Sequence, residues 1–466
     1  MKDRYVLNNI ALRSWWLVPR AYVTGIGGEL RQVKALTQEE FDLLKCCDGK
    51  TPIQMSDTLN ELIKREMVRP AKDGEETDPF FMLREYKNRY FKNLNLSITN
   101  RCNFNCLHCY EAVDNQISRS EMSLADCRRL FREARDCGIQ NVKITGGEPL
   151  IHLDFLEIVR SVYEYEMTVD RINTNVHFMT EQMAEEIRSI DQNILFNVSY
   201  DGAGYHDWIR NKEGAEKDLL SKIKILVDKG FYVRAAMTIN RVNLGAAEDS
   251  LCRMEELGVR EFRIIRTSET PRWLLNANDS CLTFDEYYDS MTELCRKYAA
   301  SDHKIDLNIF QFVRLFHKSK SYFIDPVATS LDRYNPDMPM CATVRGNITV
   351  TPTGDVYPCT PSTGVFKAAG IEFGNVFTDG LKPLLQDGKY IQYACKGVHA
   401  IKEHDPKCGS CKYFKHCIGG CRLIAFGLTG DLYSHDPMKC AFFDGRYDKR
   451  LEAAMPGYTC INPVEV

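Results

Sequence analysis

No run of the chain is long and apolar enough to cross a bilayer, and the N-terminus has no secretory apolar core. Both absences argue against a membrane-spanning or exported protein and predict a cytoplasmic one. Net charge is scarce as well. The 60 Lys and Arg nearly cancel the 64 Asp and Glu and leave −4, so no electrostatic argument favours nucleic acid or an anionic membrane as partner. Internal repeats and low-complexity tracts are missing. The composition, 44% hydrophobic and 27% charged, is that of an ordinary globular chain, and 466 residues predict two or three domains. Cysteine, in contrast, is abundant. Nineteen cysteines in a large chain without a secretion signal favour metal sites over disulfides wherever their spacing is short.

The tightest group is Cys102, Cys106 and Cys109, in the run Arg101-Cys-Asn-Phe-Asn-Cys-Leu-His-Cys-Tyr110. Three thiolates on one loop can hold three irons of a 4Fe–4S cluster and leave the fourth open, and no further cysteine follows before Cys127. A structural zinc loop is the bland alternative. The strand-like segment Asn141–Thr145 runs directly into Gly146-Gly147-Glu148-Pro149. Glycines there would let the backbone approach a ligand closely, and the carboxylate could accept from an ammonium group.

From Phe91 to about Thr267 strands and helices alternate. Leu94, Leu96 and Ile98 alternate into the cysteine loop. Ser123 caps a helix whose stripe includes Cys127 and Cys137, which makes those two core residues rather than ligands. Further strands are expected at 141–145, around Ile172–Asn175, and at 194–200, 232–239 and 261–266, separated by helices near 153–165, 180–189, 215–229 and 246–257. Six βα units predict a parallel sheet with ligands at the C-terminal strand ends.

The cysteine triplet, the Gly-Gly-Glu-Pro segment and the six βα units together resemble the radical S-adenosylmethionine (SAM) enzymes. The resemblance implies an α/β fold with a partial (βα)6 barrel over residues 90–270, and a cluster on Cys102, Cys106 and Cys109 whose open iron takes SAM. Gly146, Gly147, Glu148 and Pro149 would lie at the SAM amino group. Asn175 stands in Asn173-Thr174-Asn175, where the family often has Thr-Asn-Gly, and Val176 replaces the glycine. Ser199 and Arg210 match the segment that binds the SAM ribose and carboxylate. His108 sits where the family places an aromatic residue near the adenine, and is read as packing. No residue stands out as the catalytic acid or base; Tyr200, Asp201 and Arg266 are expected near the strand ends.

The last third holds Cys341, Cys359, Cys408, Cys411, Cys417, Cys421 and Cys440. The spacing C-x2-C-x5-C-x3-C, with flanking cysteines on both sides, resembles the SPASM extension of radical SAM enzymes, which carries two auxiliary 4Fe–4S clusters; a zinc ribbon is the alternative. By that resemblance Cys408, Cys411, Cys417 and Cys440 hold one cluster and Cys341, Cys359 and Cys421 the other. The fourth position of the latter is left open or filled by a distant residue such as Cys395. Cys46, Cys47, Cys252, Cys281, Cys295 and Cys460 read as ordinary thiols. The domain would span 341–450, after a bridging region at 271–340.

Residues 1–85 form a separate unit by pattern. Strands are expected at Tyr5–Leu7, Trp15–Val18 and Tyr22–Val23, a hairpin at Gly25–Gly28, a capping box at Thr37–Glu40, a turn at Asp48-Gly49, a second helical stripe through Leu59, Leu62, Ile63 and Met67, and a charged linker at Lys72–Asp78. This resembles the winged-helix-like RiPP recognition element, which binds precursor-peptide leaders by adding a strand to a sheet edge. The whole implies three 4Fe–4S clusters and SAM as cofactors, a ribosomal precursor peptide with a leader as partner, and a flavodoxin- or ferredoxin-type electron donor. The expected reaction is a thioether or carbon–carbon crosslink installed through a 5′-deoxyadenosyl radical. Anaerobic sulfatase maturation and peptide epimerisation are the other enzymatic readings. A leader-binding or electron-carrier protein with a dead SAM site is a third, which the intact triplet and Glu148 oppose.

Overall fold

The computed structural model describes residues 2–15, 18–24, 33–109, 120–277, 280–341 and 343–464. The expected hairpin at Gly25–Gly28 and the end of the cysteine run at Tyr110 lie outside them. Among the described residues no helix is long and apolar enough to cross a membrane.

The N-terminal unit contains β1 (Lys2–Leu7), β2 (Ile10–Trp15), β3 (Val18–Thr24), β4 (Val33–Ala35), α1 (Gln38–Lys45), β5 (Asp48–Gln54), α2 (Asp57–Lys64), β6 (Val68–Pro70) and β7 (Arg84–Tyr86). They make two small sheets, ordered β5-β1-β6 and β4-β3-β2-β7. Thr37 and Glu40 form the expected capping box of α1. A separate core of Tyr5, Leu12, Leu44, Leu59 and Leu62 joins the strands to both helices. Three local expectations are corrected. Trp15 and Val18 belong to two successive strands rather than one. Asp48-Gly49 opens β5 instead of standing between elements, although the turn chemistry persists: the Asp48 carboxylate accepts from the amides of Lys50 and Thr51, and Gly49 has φ 86°. The 72–78 stretch is no free linker, because buried Thr77 donates to the Cys47 carbonyl and accepts from the Leu7 amide.

The large sheet begins with β8 (Asn93–Ser97). Then follow α3 (Leu124–Asp136), β9 (Asn141–Thr145), α4 (Phe155–Glu164), β10 (Thr168–Thr174), α5 (Glu181–Ile190), β11 (Leu195–Ser199), α6 (His206–Arg210), α7 (Ala215–Asp228), β12 (Tyr232–Ile239), α8 (Ala247–Glu256) and β13 (Glu261–Arg266). Strands β8 to β13 lie side by side in chain order and all parallel. This is the βα series the alternating pattern predicts, with the short α6 added. One strand face is apolar and sealed by the helices, as Val233, Ala235, Met237 and Ile239 show, while the alternate residues face the barrel lumen and stay partly accessible.

The sheet does not stop at six strands. The chain continues through α9 (Pro271–Ala277) and α10 (Phe284–Ala300) to β14 (Asp306–Ile309), β15 (Val313–Phe316), β16 (Ser321–Ile324), β17 (Asn347–Val350), β18 (Val356–Tyr357) and β19 (Thr459–Cys460). The described residues make one 12-stranded sheet, ordered β18-β17-β8-β9-β10-β11-β12-β13-β14-β15-β16-β19. β14 extends the parallel set beside β13, and β17 extends it beside β8. The 271–340 region is thus part of the barrel wall and not only a bridge. Short helices between Ser362 and Ala454 and their ends hold Cys408, Cys411, Cys417, Cys421 and Cys440, while Cys341 and Cys359 precede them.

Candidate radical SAM and auxiliary cluster sites

The C-terminal ends of β8, β9 and β10 meet at one point. Gly146 and Gly147 are there because no side chain fits: a Cβ on Gly147 would lie 2.2 Å from the Arg101 carbonyl oxygen, and one on Gly146 2.6 Å from that of Thr99. The amides of Gly147 and Glu148 donate to these same carbonyls, at 2.7 and 2.8 Å. What the glycines approach is the chain entering the cysteine loop. Glu148 is 1% exposed. Its Oε1 accepts from the Thr174 hydroxyl (2.6 Å) and the Leu150 amide (3.0 Å), and its Oε2 from the Asn175 amide (2.7 Å). A carboxylate has about four lone-pair positions, so Oε2 keeps one for a further donor. Burial pushes Glu148 up to about 7, against the downward pull of these three bonds.

The loop itself is braced from several elements. The Asn175 amide side chain donates to Asn103 Oδ1 at 2.8 Å, and the Leu107 amide donates to the Ile209 carbonyl. Cys102, Cys106 and Cys109 gather around Phe104 and Ala215. The Phe104 amide points at Cys102 Sγ, 3.4 Å away. Burial pushes the Cys102 thiol up to about 12, with Glu148 and the other two thiols as charged neighbours; a bound iron would take the place of that proton. Pro149, with Leu150, starts a helical turn capped by Glu148 itself. Val176, in the place where the family carries glycine, is fully buried at φ 57°, a conformation that disfavours a β-branched residue.

Arg210 is tied to two neighbours. It is buried, its Nε donates to Asp201 Oδ2 at 2.7 Å, and its Nη1 lies 3.6 Å from Cys106 Sγ. Burial opposes ionisation of both partners, yet their mutual attraction holds Asp201 well below the usual carboxylate range and Arg210 above its own. The guanidinium thus serves a cysteine of the loop. Ser199 lies half-buried at the end of β11, level with Ala236 on β12. His108 is packed edge-on to Trp273 at 6.4 Å, its Nδ1 buried without a hydrogen-bond partner, and burial lowers it to about 4, so the ring is neutral. Two clamps went unread in the sequence. Arg272 on α9 donates to the carbonyls of Cys106 (2.9 Å) and Asn105 (3.1 Å), and fully buried Trp273 follows it. No motif marks either; a helix from outside the six βα units brings them.

In the C-terminal region Cys408, Cys411, Cys417 and Cys440 line one cavity of about 400 Å³, mouth included, with Lys439 and His435 at its wall. Cys341, Cys359 and Cys421 form a second group: burial pushes Cys359 up to about 12, with Cys421 and Cys341 as its charged neighbours. The Tyr393 hydroxyl faces the same three thiols and is buried without a hydrogen-bond partner. Cys395, two residues further along the same helical turn, has Arg89 as its charged neighbour instead. Asp436 ties the groups together. Its Oδ2 accepts from the Cys421 amide at 2.7 Å while its Oδ1 caps the helix that carries Cys440. Among the described residues no three His, Cys, Asp or Glu side chains converge to hold a single metal ion. Thiolates of an iron–sulfur cluster bind separate irons, so the all-thiol donor sets fit clusters.

The profile of the radical SAM superfamily matches residues 96–251, and that of the SPASM iron–sulfur cluster-binding domain matches residues 341–417. The chain carries a radical SAM domain followed by a SPASM domain. Such domains bind 4Fe–4S clusters and SAM, and the chain stands among SAM-dependent enzymes. It is 24% identical over 351 residues to the AdoMet-dependent heme synthase of Methanosarcina barkeri (strain Fusaro / DSM 804), covering 75% of this chain and 96% of that protein. It is also 24% identical over 350 residues to the antilisterial bacteriocin subtilosin biosynthesis protein AlbA of Bacillus subtilis (strain 168), covering 72% of this chain and 68% of that one. Among solved structures, Streptococcus suis SuiB bound to its precursor peptide SuiA shares the fold, with TM-score 0.67 over 94% of this chain and 100% of that chain at 14% identity.

Proposed function

We propose that this radical SAM enzyme installs an intramolecular crosslink, thioether or carbon–carbon, in a ribosomally made precursor peptide. The observation that carries the reading is the N-terminal unit. Its β5 pairs as a strand, among the described residues, only with β1. At its start the Asp48 carboxylate accepts from the Lys50 and Thr51 amides and the Asp48 carbonyl from the Thr77 amide, so the open stretch is the exposed Pro52–Gln54 end. An open strand edge of this kind takes up an extended peptide by strand addition. The comparisons support the reading: AlbA is a bacteriocin biosynthesis protein, and SuiB, whose fold matches over 94% of this chain, is solved bound to a precursor peptide.

In this reading residues 1–85 hold the leader, 90–270 the reaction chamber and 341–450 two auxiliary clusters, three clusters in all. Cys102, Cys106 and Cys109 hold the first. Cys408, Cys411, Cys417 and Cys440 hold a second, and Cys341, Cys359 and Cys421 a third, with the Tyr393 hydroxyl as the remaining oxygen at that site. Glu148 receives the SAM ammonium, and Gly146, Gly147 and Pro149 shape the turn that presents it. Asn175 and Ser199 border the SAM site, His108 packs beside it, and Arg210 acts on it through Cys106. A cluster and SAM bound there would supply the radical chemistry that removes hydrogen from an unactivated carbon. The chain's part is to hold the reactants in line and keep water out. A flavodoxin- or ferredoxin-type donor would supply the electron.

The test is the intact mass of a short peptide encoded beside the gene, after anaerobic co-expression. A loss of about 2 Da per modification is the signature of an oxidative crosslink. An unchanged mass, with 5′-deoxyadenosine formed in the same sample, removes the crosslinking reading.

A further inference from the structure

The barrel lumen is lined with cations that the chemistry described so far does not use. In parallel strands, residues in register share a face. Lys143, Arg171, Arg234 and Arg263 all stand on the lumen face, opposite the helix-covered apolar one. Arg171 pairs in register with Lys143, Arg234 with Asn197 and Glu261, and Arg263 with Ala236, whose other neighbour is Ser199. Arg263 is therefore on the same rung as Ser199 at the SAM site, with Arg234 and then Arg171 on rungs below.

The counter-charges are too few. Glu261 is taken by Arg234 at 2.5 Å, by Asn308 at 2.7 Å and by Tyr232 at 3.4 Å. Asp325 is held by Arg314 at 2.8 Å. Asp170 is 3.8 Å from Arg171, beyond hydrogen-bond distance, and among the described residues Lys143 hydrogen-bonds to the side-chain amide oxygen of Asn347, at 3.3 Å. Arg263 has no ion-pair partner among the described residues and stacks on the Phe310 ring at 4.6 Å. The Nε atoms of Arg171, Arg234 and Arg263 are all buried without a hydrogen-bond partner. Burial is the largest cause that lowers Lys143 to about 8, Arg263 to about 10, and Arg171 as well; repulsion among the cations adds to it, and Asp170, Glu261 and Asp325 offset it only in part. Half-buried guanidinium groups whose Nε–H donors are unmet are costly unless a ligand completes them.

We propose that Arg171 and Arg263, with Lys143 level with Arg171 and Arg234 fixed between the two arginines by Glu261, form a binding site for a carboxylate of the substrate, so that the peptide segment entering the barrel carries an acidic side chain close to the residue that reacts. Guanidinium groups match carboxylates through paired N–H donors. The proposal rests on the peptide reading for the carrier of the carboxylate, not for the site itself.

The test uses the full-length enzyme with reconstituted clusters and SAM. Two capped tripeptides, acetyl-Ala-Glu-Ala-amide and acetyl-Ala-Gln-Ala-amide, are titrated by ligand-observed NMR. The glutamate peptide should bind about tenfold tighter or better. In R171Q/R263Q the two should bind alike, while R171K/R263K, which keeps the charge, should retain part of the preference and report on folding. Equal binding of both peptides to the unaltered enzyme overturns the proposal. So does an R171Q/R263Q variant that weakens SAM binding and leaves the glutamate preference intact, which would assign these cations to the SAM carboxylate. A glutamate preference without any modified precursor peptide leaves the site standing and removes the peptide reading. A modified precursor without a glutamate preference does the reverse.

Discussion

If Glu148 receives the SAM ammonium, SAM affinity must depend on pH through this one carboxyl. Burial lifts Glu148 from its ordinary 4.5 to about 7, which places about 3 kcal/mol between ionising it here and in water. Only the ionised form offers a charge to the ammonium. The direction follows: affinity is full above about 7 and falls as pH drops through that value, because binding must then first expel a proton. Between pH 7.0 and 5.5 the ionised fraction drops from about one half to about 3%, so the Kd of SAM should rise about fifteenfold. The SAM amine, with an α-amino pKa of about 7.7–8.0, stays charged over most of this range. His108, lowered to about 4, stays neutral and contributes no slope of its own. Glu148→Gln should bind SAM about 10- to 100-fold more weakly at pH 7, the worth of a hydrogen bond to a charged group, and its Kd should be flat from 5.5 to 7.0. Anaerobic calorimetry on the reconstituted protein reads both. A flat wild-type profile, or unaltered affinity in the Gln variant, would mean that Glu148 serves only to brace Thr174, Leu150 and Asn175.

Val176 allows a separation of backbone from side chain: at φ 57° a Cβ of any kind is strained, so Val176→Gly should outlast Val176→Ala in a heating scan by about 1 kcal/mol, the reverse of the usual order. The opposite ranking would refute the left-handed backbone. Replacing Cys102, Cys106 and Cys109 by Ala should remove the first cluster's iron and abolish 5′-deoxyadenosine formation; persistence of that product overturns the assignment. Cys417→Ala should spare SAM cleavage and stop the crosslink, measured as 5′-deoxyadenosine against product mass, and normal product would exclude its cluster from the reaction. Arg210→Gln should lower the midpoint potential of the first cluster by about 60 mV if its contact with Cys106 is worth about 1.4 kcal/mol more to the reduced state; an EPR-monitored titration with unchanged potential removes that role.

The βα series was legible because both periodicities are strong. Leu94, Leu96 and Ile98 alternate as a strand must, and Cys127, Leu130, Phe131 and Ala134 recur at helical spacing and are all buried. The grouping of the C-terminal cysteines came through the family resemblance, and the structure gathers Cys408, Cys411, Cys417 and Cys440 around one cavity. What did not show is what long-range pairing decides. β14 and β17 join the sheet from residues remote in the chain, and strands of four residues carry little pattern of their own. Arg272 reaches the cysteine loop across 166 residues, a contact that no local signal encodes. The lumen cations left a readable trace, since Arg234 and Arg263 fall on the face opposite the apolar residues of their strands. Alternation alone, however, does not say whether such a face meets solvent or a barrel interior.

The buried Asp201–Arg210 pair makes sense only with the cluster loop in view. Taking a carboxylate and a guanidinium out of water is costly, and an apolar pair of similar size often stabilises as well. Here the Asp201 carboxylate also accepts from the Thr238 amide at 3.0 Å, and its backbone carbonyl accepts from Asn243 at 3.0 Å. The pair is thereby locked to the end of β12 and the turn after it. With its Nε committed to Asp201, Arg210 can direct only its remaining N–H groups, and one of them faces Cys106. Asp201 thus fixes the direction of a positive charge toward one cysteine of the loop, while Arg272 fixes the carbonyl of that same residue from outside the barrel. Cys106 is held on both sides, by Arg210 of α6 and by Arg272 of α9, the helix that follows the sixth strand. Its sulfur is where the protein has the firmest means of setting the environment of an attached iron.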